Sequence, residues 1–500
     1  GITLKKDVDG KVKAFDENGN IIPTEIVNNI PEVQNFAFSN IGVYVDTLGR
    51  TKPITGSGYA PTGTTDIIIG IEAAEKTNAK AIKIGNNILK PFLDTNPSGK
   101  LKFYSGSLTW QATYDEGDVA VNGDETVLMA KYPYTKYAND SDLYNFTDGL
   151  EQRYGMNELD SREKVLFNKL NSIGDNEDIL LSQAFDEMMG HQYANVQQRT
   201  HGTGRLIDKE ITHLSKEWDT KSKQSNKIKV FGMKDEYKTD TAGIIDYKTN
   251  SYGVAYVHEK EDVRLGDTYG WYAGVIQNRF KFKDMGGSKE NTTMLKAGVF
   301  KSIPFDYNNS LNVTVSAEGY VARSEMDRKF WIVDEVFGAK STYNSYGAAA
   351  KAEVSKEFRV NETTSVRPYA SIKAEYGRFN DIKEKTGEMR LDVEGNDYYS
   401  VKPEAGLEFK YIQPLAVRTQ LSVGLTAAYE NEIGKLNKLN QARVRYTTAD
   451  WYNLRSEKED RRGNGKFDLN IGVDNTRFGV TVNAGYDTKG NNVRGGIGFR

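Results

Sequence analysis

Four histidines, His191, His201, His213 and His258, are the side chains whose ordinary pKa suits acid–base or metal chemistry near neutral pH. His201 and His213 fall on one segment that reads as helical, but twelve residues apart. Two ligands share a helix face at a spacing of three or four, so these histidines read as polar packing. The chain has no cysteine, which removes disulfides, thiolate metal sites and cysteine nucleophiles. No Gly-x-Ser-x-Gly elbow, His-Glu-x-x-His zinc motif or P-loop occurs. Asp7-Val8-Asp9-Gly10 and Asp16-Glu17-Asn18-Gly19-Asn20 resemble calcium loops, yet lack the EF-hand pattern and read as surface turns. No catalytic residue, metal or cofactor is expected, and the chain is not expected to be an enzyme.

The remaining chemistry is charge set into alternating strands. Leu311, Val313, Val315, Ala317, Gly319 and Val321 fall on one strand face, and Asn312, Thr314, Ser316, Glu318 and Tyr320 on the other. The pattern returns at Leu421, Val423, Leu425, Ala427 and Tyr429, and at Phe467, Leu469, Ile471 and Val473. About a dozen such strands in a row predict a 12-stranded antiparallel transmembrane β-barrel, apolar outside and polar inside. Glu318, Lys351, Glu353, Arg367, Lys373, Glu375, Lys402, Glu404, Glu408 and Lys410 then project into the lumen.

Composition fits that reading. Only 38% of residues are apolar and no run of eighteen apolar residues exists, so no transmembrane helix is expected. Barrel strands dilute their apolar residues with lumen-facing polar ones, so a membrane protein stays open. The 29 tyrosines suit aromatic girdles, and equally a secreted β protein. A net charge of −3 argues against a nucleic-acid partner. The chain begins Gly1-Ile2-Thr3-Leu4, without an initiator Met or signal peptide, and is expected to be part of a longer precursor.

Residues 1–155 read as short irregular strands. Residues 140–157 read as a polar linker, followed by a helix from about Leu159 through Val165, Leu166, Phe167 and Leu170, and a second through Ile179, Leu180, Ala184, Phe185 and Met188. A third helix, His191 to about Trp218, reads as polar nearly all round: His191, Asn195, Gln198, Arg199, Gly202, Arg205 and Asp208 belong to it. Such a helix needs water or a polar lumen. Twelve strands follow, near 227–235, 249–258, 267–282, 291–303, 310–326, 343–359, 364–379, 397–412, 417–432, 465–474, 477–487 and 491–500. Connections after even strands are mostly short; those after odd strands, such as Arg328 to Thr342 and Ile433 to Asn464, are mostly long. Outer-membrane barrels have short periplasmic turns and long outer loops, so strand one starts in the periplasm and the polar helix must lead inward through the pore. Pro368 and Pro403 sit within strands and are expected near periplasmic ends or at bulges. Arg199, Arg205, Asp208, Lys209 and Glu210 are available to pair with lumen charges.

Leu166-Phe167-Asn168-Lys169-Leu170 and Ala184-Phe185-Asp186-Glu187-Met188-Met189-Gly190-His191-Gln192-Tyr193-Ala194-Asn195-Val196-Gln197, before twelve strands, resemble the approach to the barrel in bacterial type V autotransporters. Ser57-Gly58-Tyr59 to Ile71 and the Lys-, Asn- and Tyr-rich style are similar to the large adhesin autotransporters of fusobacteria. The resemblance implies three domains. Residues 1–150 are the end of a passenger, a β-solenoid with an autochaperone-like cap. Residues 151–225 are linker helices and a pore helix, and residues 226–500 an outer-membrane barrel. It implies a monomer in outer-membrane lipid, inserted by the barrel assembly machinery, exporting and anchoring a cell-surface adhesin that binds host or bacterial ligands in virulence. Phe499 takes the place of the family's terminal aromatic assembly signal, although Arg500 follows it. Self-cleaving members carry Asn-Asn or Asn-Asp in the pore helix; here Asn195 precedes Val196, which implies an attached passenger. The alternatives are a stand-alone outer-membrane channel with an N-terminal plug, and a secreted β-rich binding protein.

Overall fold

The computed structural model describes residues 1–24, 36–54, 59–95, 100–118, 124–216, 224–239, 241–261, 267–306, 310–457, 463–475, 478–489 and 492–499. Ser57, Gly58, Trp218, Thr476 and Arg500 lie outside the described residues.

Period-two sequence becomes period-two burial. In Lys289–Pro304, Met294 and Lys296 turn inward while Leu295 and Val299 turn outward. Twelve strands repeat this: Gln224–Tyr237, Tyr247–Glu261, Thr268–Phe282, Lys289–Pro304, Leu311–Ile332, Glu335–Lys356, Thr364–Phe379, Asn396–Ala416, Thr419–Asn431, Gly463–Asn475, Gly479–Asp487 and Asn492–Phe499. Each pairs antiparallel with the next, and Arg494–Phe499 pairs with Val230–Asp235 to close the cylinder. Closure satisfies every strand edge, as lipid requires.

Three expectations change. The long loop Arg328 to Thr342 is strand: both flanking strands run on to a two-residue turn at Val333-Asp334. Pro368 lies near the periplasmic end of its strand, as expected, but Pro403 lies neither there nor at a bulge. Pro368 falls at the break between the Glu335–Lys356 and Phe358–Arg359 ladders, and Pro403 one residue before pairing with Thr419–Asn431 begins. Each missing N–H thus coincides with a gap in the ladder. The polar linker 140–157 contains a helix.

On the long hairpin the alternation inverts. Outward positions Val313, Val315 and Val321 give way to Arg323, Glu325 and Asp327. Inward positions Asn312, Thr314, Ser316 and Glu318 give way to Met326, Phe330 and Ile332, all buried. Val313 to Val321 spans roughly 20 Å along the barrel axis at ~3.3 Å per residue and a ~40° tilt. The switch therefore marks where the wall leaves lipid.

Residues Gly1–Ala73, Ala81–Gly106 and Gln111–Ala130 form a separate compact unit. Its strands Phe36–Val45, Tyr59–Ile69 and Lys100–Ser105 stack in parallel, with Ile67 opposite Val43 and Phe103. A hairpin pairs Thr3–Lys6 with Val12–Phe15, and Ala81–Ile84 pairs with Asp124–Lys131. Among these short strands a helix, α1 (Asn86–Asp94), buries Leu89 and Phe92.

Candidate functional site

Four further helices belong to the barrel unit: α2 (Ser141–Arg153), α3 (Arg162–Asn171), α4 (Asp178–Met188) and α5 (Val196–Lys216). The Asp140 carboxylate caps α2 by accepting from the Leu143 N–H, and Ser161 caps α3. Phe146 and Leu150, one turn apart, are fully buried, which is why a stretch rich in Asp, Tyr and Gly is helical.

The first three, α2 to α4, sit on the barrel's outer mouth. Phe146 meets both Phe185 and Tyr452 edge-to-face, while Tyr134 and Tyr154 pack on Phe167. Gly149 is needed for close approach: a Cβ there would lie 2.7 Å from the Val444 Cβ. The outer loops supply the underside as a small sheet, Ile382–Lys383, Leu391–Val393, Gln441–Val444 and Tyr452–Asn453. Beneath it Arg328, on the strand extension, is fully buried. Its guanidinium donates to Glu384 at 2.9 and 2.8 Å and to the Met188 carbonyl at 3.3 Å. The Tyr193 hydroxyl donates to Glu384 at 2.9 Å. Gly190, at φ +85°, turns the chain from α4 toward the lumen in a backbone conformation that suits glycine.

α5 runs through the lumen. His191 and Asn195, expected on this helix, precede it. His191 lies in a 3₁₀ turn and accepts the Arg455 N–H at 3.1 Å, while the Asn195 carbonyl accepts the Arg199 N–H at 3.0 Å. The expectation of polarity nearly all round also changes. Leu206, Ile207, Ile211 and Leu214 form an apolar stripe against Phe231, Met233, Ala255, Val257, Tyr272, Ile276 and Met294. α5 thus leans on strands one to four, and that packing compensates for the two helix glycines. His213 offers no described side chain, and His258 lies on strand two, its Nδ1–H donating to the Asn226 side-chain oxygen at 2.8 Å.

The polar faces of α5 meet the wall in pairs. Arg199 donates to Glu290 at 3.0 and 3.2 Å, and Tyr343 donates to the same carboxylate. Asp208 joins Lys373 and Lys296, the latter at 2.7 Å, and Glu318 bridges both lysines, at 2.9 Å from Lys373 and 3.3 Å from Lys296. Arg205 reaches Glu430 at 3.2 Å, Lys209 reaches Asp468, and Glu210 lies 3.0 Å from Lys229. His201 Nδ1 meets Glu375, and its Nε2 lies 2.6 Å from Lys402 Nζ. Gln198 accepts from the Tyr247 hydroxyl. At Gly202 an added Cβ would meet nothing within 4 Å.

The ten inward charges divide. Glu318, Lys373, Glu375 and Lys402 touch the helix, and Glu404 reaches it through Lys466, which lies 2.5 Å from Glu404 and 3.5 Å from Glu430. Lys351, Glu353, Arg367, Glu408 and Lys410 face the cavity of about 780 Å³ beside the helix, whose lining Glu318, Lys373, Lys402 and Glu404 share. There Arg367 joins Glu408 and, at 3.8 Å, Glu353. Sequence reading missed Lys229, Glu290 and Lys296, although strand parity marks each as inward. Phe499 points outward, paired with Val230 and Val480.

The arrangement is a lipid-facing cylinder with its own chain threaded through it. The solved translocator domain of the autotransporter NalP from Neisseria meningitidis is similar at 11% identity, covering 62% of this chain and 99% of that one, with a TM-score of 0.46. The transport unit of AIDA-I from Escherichia coli is similar at 15% identity, 60% and 97% coverage and a TM-score of 0.40. The beta domain of the Bordetella autotransporter BrkA gives 11%, 56%, 99% and 0.38. No curated protein matches the chain. The family model described as autotransporter beta-domain matches residues 228–485, just over half of the chain. The chain belongs to the autotransporter beta-domain family, a translocator barrel of the bacterial outer membrane that exports its passenger to the cell surface.

Proposed function

We propose that the passenger is an adhesin, that it stays attached after export, and that α5 then seals the pore. Convergence of wall charges on the helix carries the sealing. Asp208 between Lys296 and Lys373, and Arg205 beside Glu430, give charges in the lumen the partners they need. Wall charges of an empty, water-filled channel would have no reason to converge on one axis.

Attachment is supported by Asn195 preceding Val196, with the Asn195 side-chain oxygen engaged by Arg199. The in-register parallel strands of residues 36–105 support reading residues 1–150 as a passenger end of solenoid type. Residues 151–225 link it to the barrel, and 226–500 anchor it as a monomer. Insertion uses the barrel assembly machinery, for which Phe499 lies on the lipid face of the last strand. The adhesin reading rests on resemblance to adhesin autotransporters, with host or bacterial surface ligands as its partners, and no catalytic activity is assigned.

Deleting residues 191–214 tests the seal. The deletion removes the plug and also Tyr193, which ties the outer cap to Glu384. Single-channel conductance in planar bilayers should rise several-fold over the intact chain; unchanged conductance overturns the plug.

A further inference from the structure

The outward face of the first five strands turns basic where it leaves the apolar band. Outward positions run Ile228, Val230, then Lys234 on strand one, and Val275, Gln277, then Arg279 and Lys281 on strand three. Cross-strand pairing sets these side by side: Lys234 opposes Asn250, Asn250 opposes Arg279, and Lys248 opposes Lys281, which opposes Lys289. Arg323 sits at the same rim on strand five, two residues above Val321. All six cations, Lys234, Lys248, Arg279, Lys281, Lys289 and Arg323, are exposed.

The belt is neutralised only in part, its cations outnumbering the acids beside them. Among the described residues, Lys234, Arg279, Lys281, Lys289 and Arg323 form no ion pair. Three acids share the face: Glu236 opposes Lys248 and is engaged by Lys283, Asp327 opposes Lys289 and lies 4.0 Å from Lys329, and Glu325 lies two residues from Arg323. The opposite wall carries aromatics at this rim instead: Tyr346, Tyr376, Tyr399, Tyr429 and Tyr486, all exposed. Lysines opposed directly across a sheet repel one another. Cations in excess of the acids around them leave a net positive strip that an external anion can neutralise.

We infer that this one-sided basic belt binds phosphate-bearing head groups of outer-leaflet lipid. The height argues for lipid. The belt begins roughly 20–25 Å above the inner edge of the apolar band, at head-group level, where clustered Lys and Arg attract anionic lipid. The inference rests on the outer-membrane placement, which heat-modifiable migration on a gel checks separately.

The test uses the full chain in dodecyl-maltoside micelles, with lipid A carrying two phosphates as the probe and native mass spectrometry as the readout. The wild type should retain the probe and lose it progressively with added salt. The variant Lys234→Gln/Arg279→Gln/Lys281→Gln/Lys289→Gln/Arg323→Gln should bind about tenfold more weakly or worse. Lys301→Gln/Lys356→Gln, at the opposite rim, should match the wild type. Equal binding by the belt variant, or by dephosphorylated lipid A, overturns the inference. So does inorganic phosphate bound as tightly as the lipid, which makes the site one for free anion. If the fivefold variant fails to migrate as a folded barrel, Lys234→Gln/Lys281→Gln/Lys289→Gln is read in its place by the same outcomes.

Discussion

The lower and upper halves of the hairpin Leu311–Ile332 and Glu335–Lys356 are one continuous ladder with opposite chemistry. Below Val321 the outside is greasy and the inside polar; above it Arg323, Glu325 and Asp327 face out while Met326, Phe330 and Phe337 face in. Backbone geometry is the same in both halves. What differs is the surrounding medium: lipid outside and a wet lumen below, water outside and a dry core above. A strand's buried face is thus set by what adjoins it, and the residue at which the pattern flips locates the membrane surface without any lipid in view.

Arg328→Met should produce the largest effect, in the upper half. It strands the fully buried Glu384 without its guanidinium, which costs about 3–5 kcal/mol. Limited proteolysis should then cut within residues 131–194 while the barrel stays resistant. Adding Glu384→Leu should restore most of the protection, and a single variant as resistant as the wild type would erase the distinction between the halves.

Val315→Lys, in the lower half, comes next. A lysine facing lipid should destabilise the barrel by about 2–4 kcal/mol in urea unfolding from vesicles. Glu325→Lys, on the same face ten residues higher, should change stability by no more than about 0.5 kcal/mol. Equal costs at the two positions would mean that the surface is misplaced.

The smallest effect concerns the cap alone. Burial drives the Lys131 amine down to about 8, although Glu151 lies 2.5 Å away, and burial also lowers Lys164. The unfolded chain keeps these protons to about pH 10.4 and binds more of them in between, so the stability of the cap should rise as pH rises above about 8. Tyr134 and Tyr154, held above the ordinary tyrosine range by burial, reverse that trend above about pH 10, where the unfolded chain loses protons that the cap retains. Thermal melting of the cap should therefore shift upward between about pH 8 and pH 9.5; a downward shift contradicts the assignment.

Strand existence and facing were legible because lipid enforces period two with few exceptions: Val313, Leu425 and Phe467 lie outward where alternation puts them. The prolines were visible but not their reason, since a gap in a ladder depends on the neighbouring strand's length. α2 was obscured because only Phe146 and Leu150 mark its buried side, amid residues that favour turns. The apolar stripe on α5 was overlooked because Leu206, Ile207, Ile211 and Leu214 are diluted by the charges between them. Most wall partners of α5 followed from parity, yet which of them converge on the helix depends on its lean toward strands one to four. No local sequence pattern encodes that lean.

Phe146 and Tyr452 touch, and Asn145 bonds the Trp451 carbonyl, across 306 residues of chain. The lid over the channel therefore cannot finish its own interior from the exported stretch alone; it waits for a rim supplied by the far end of the polypeptide. Docking there gives the last stretch to emerge somewhere to lodge, so movement back toward the periplasm would first have to pull aromatic rings out of a foreign socket.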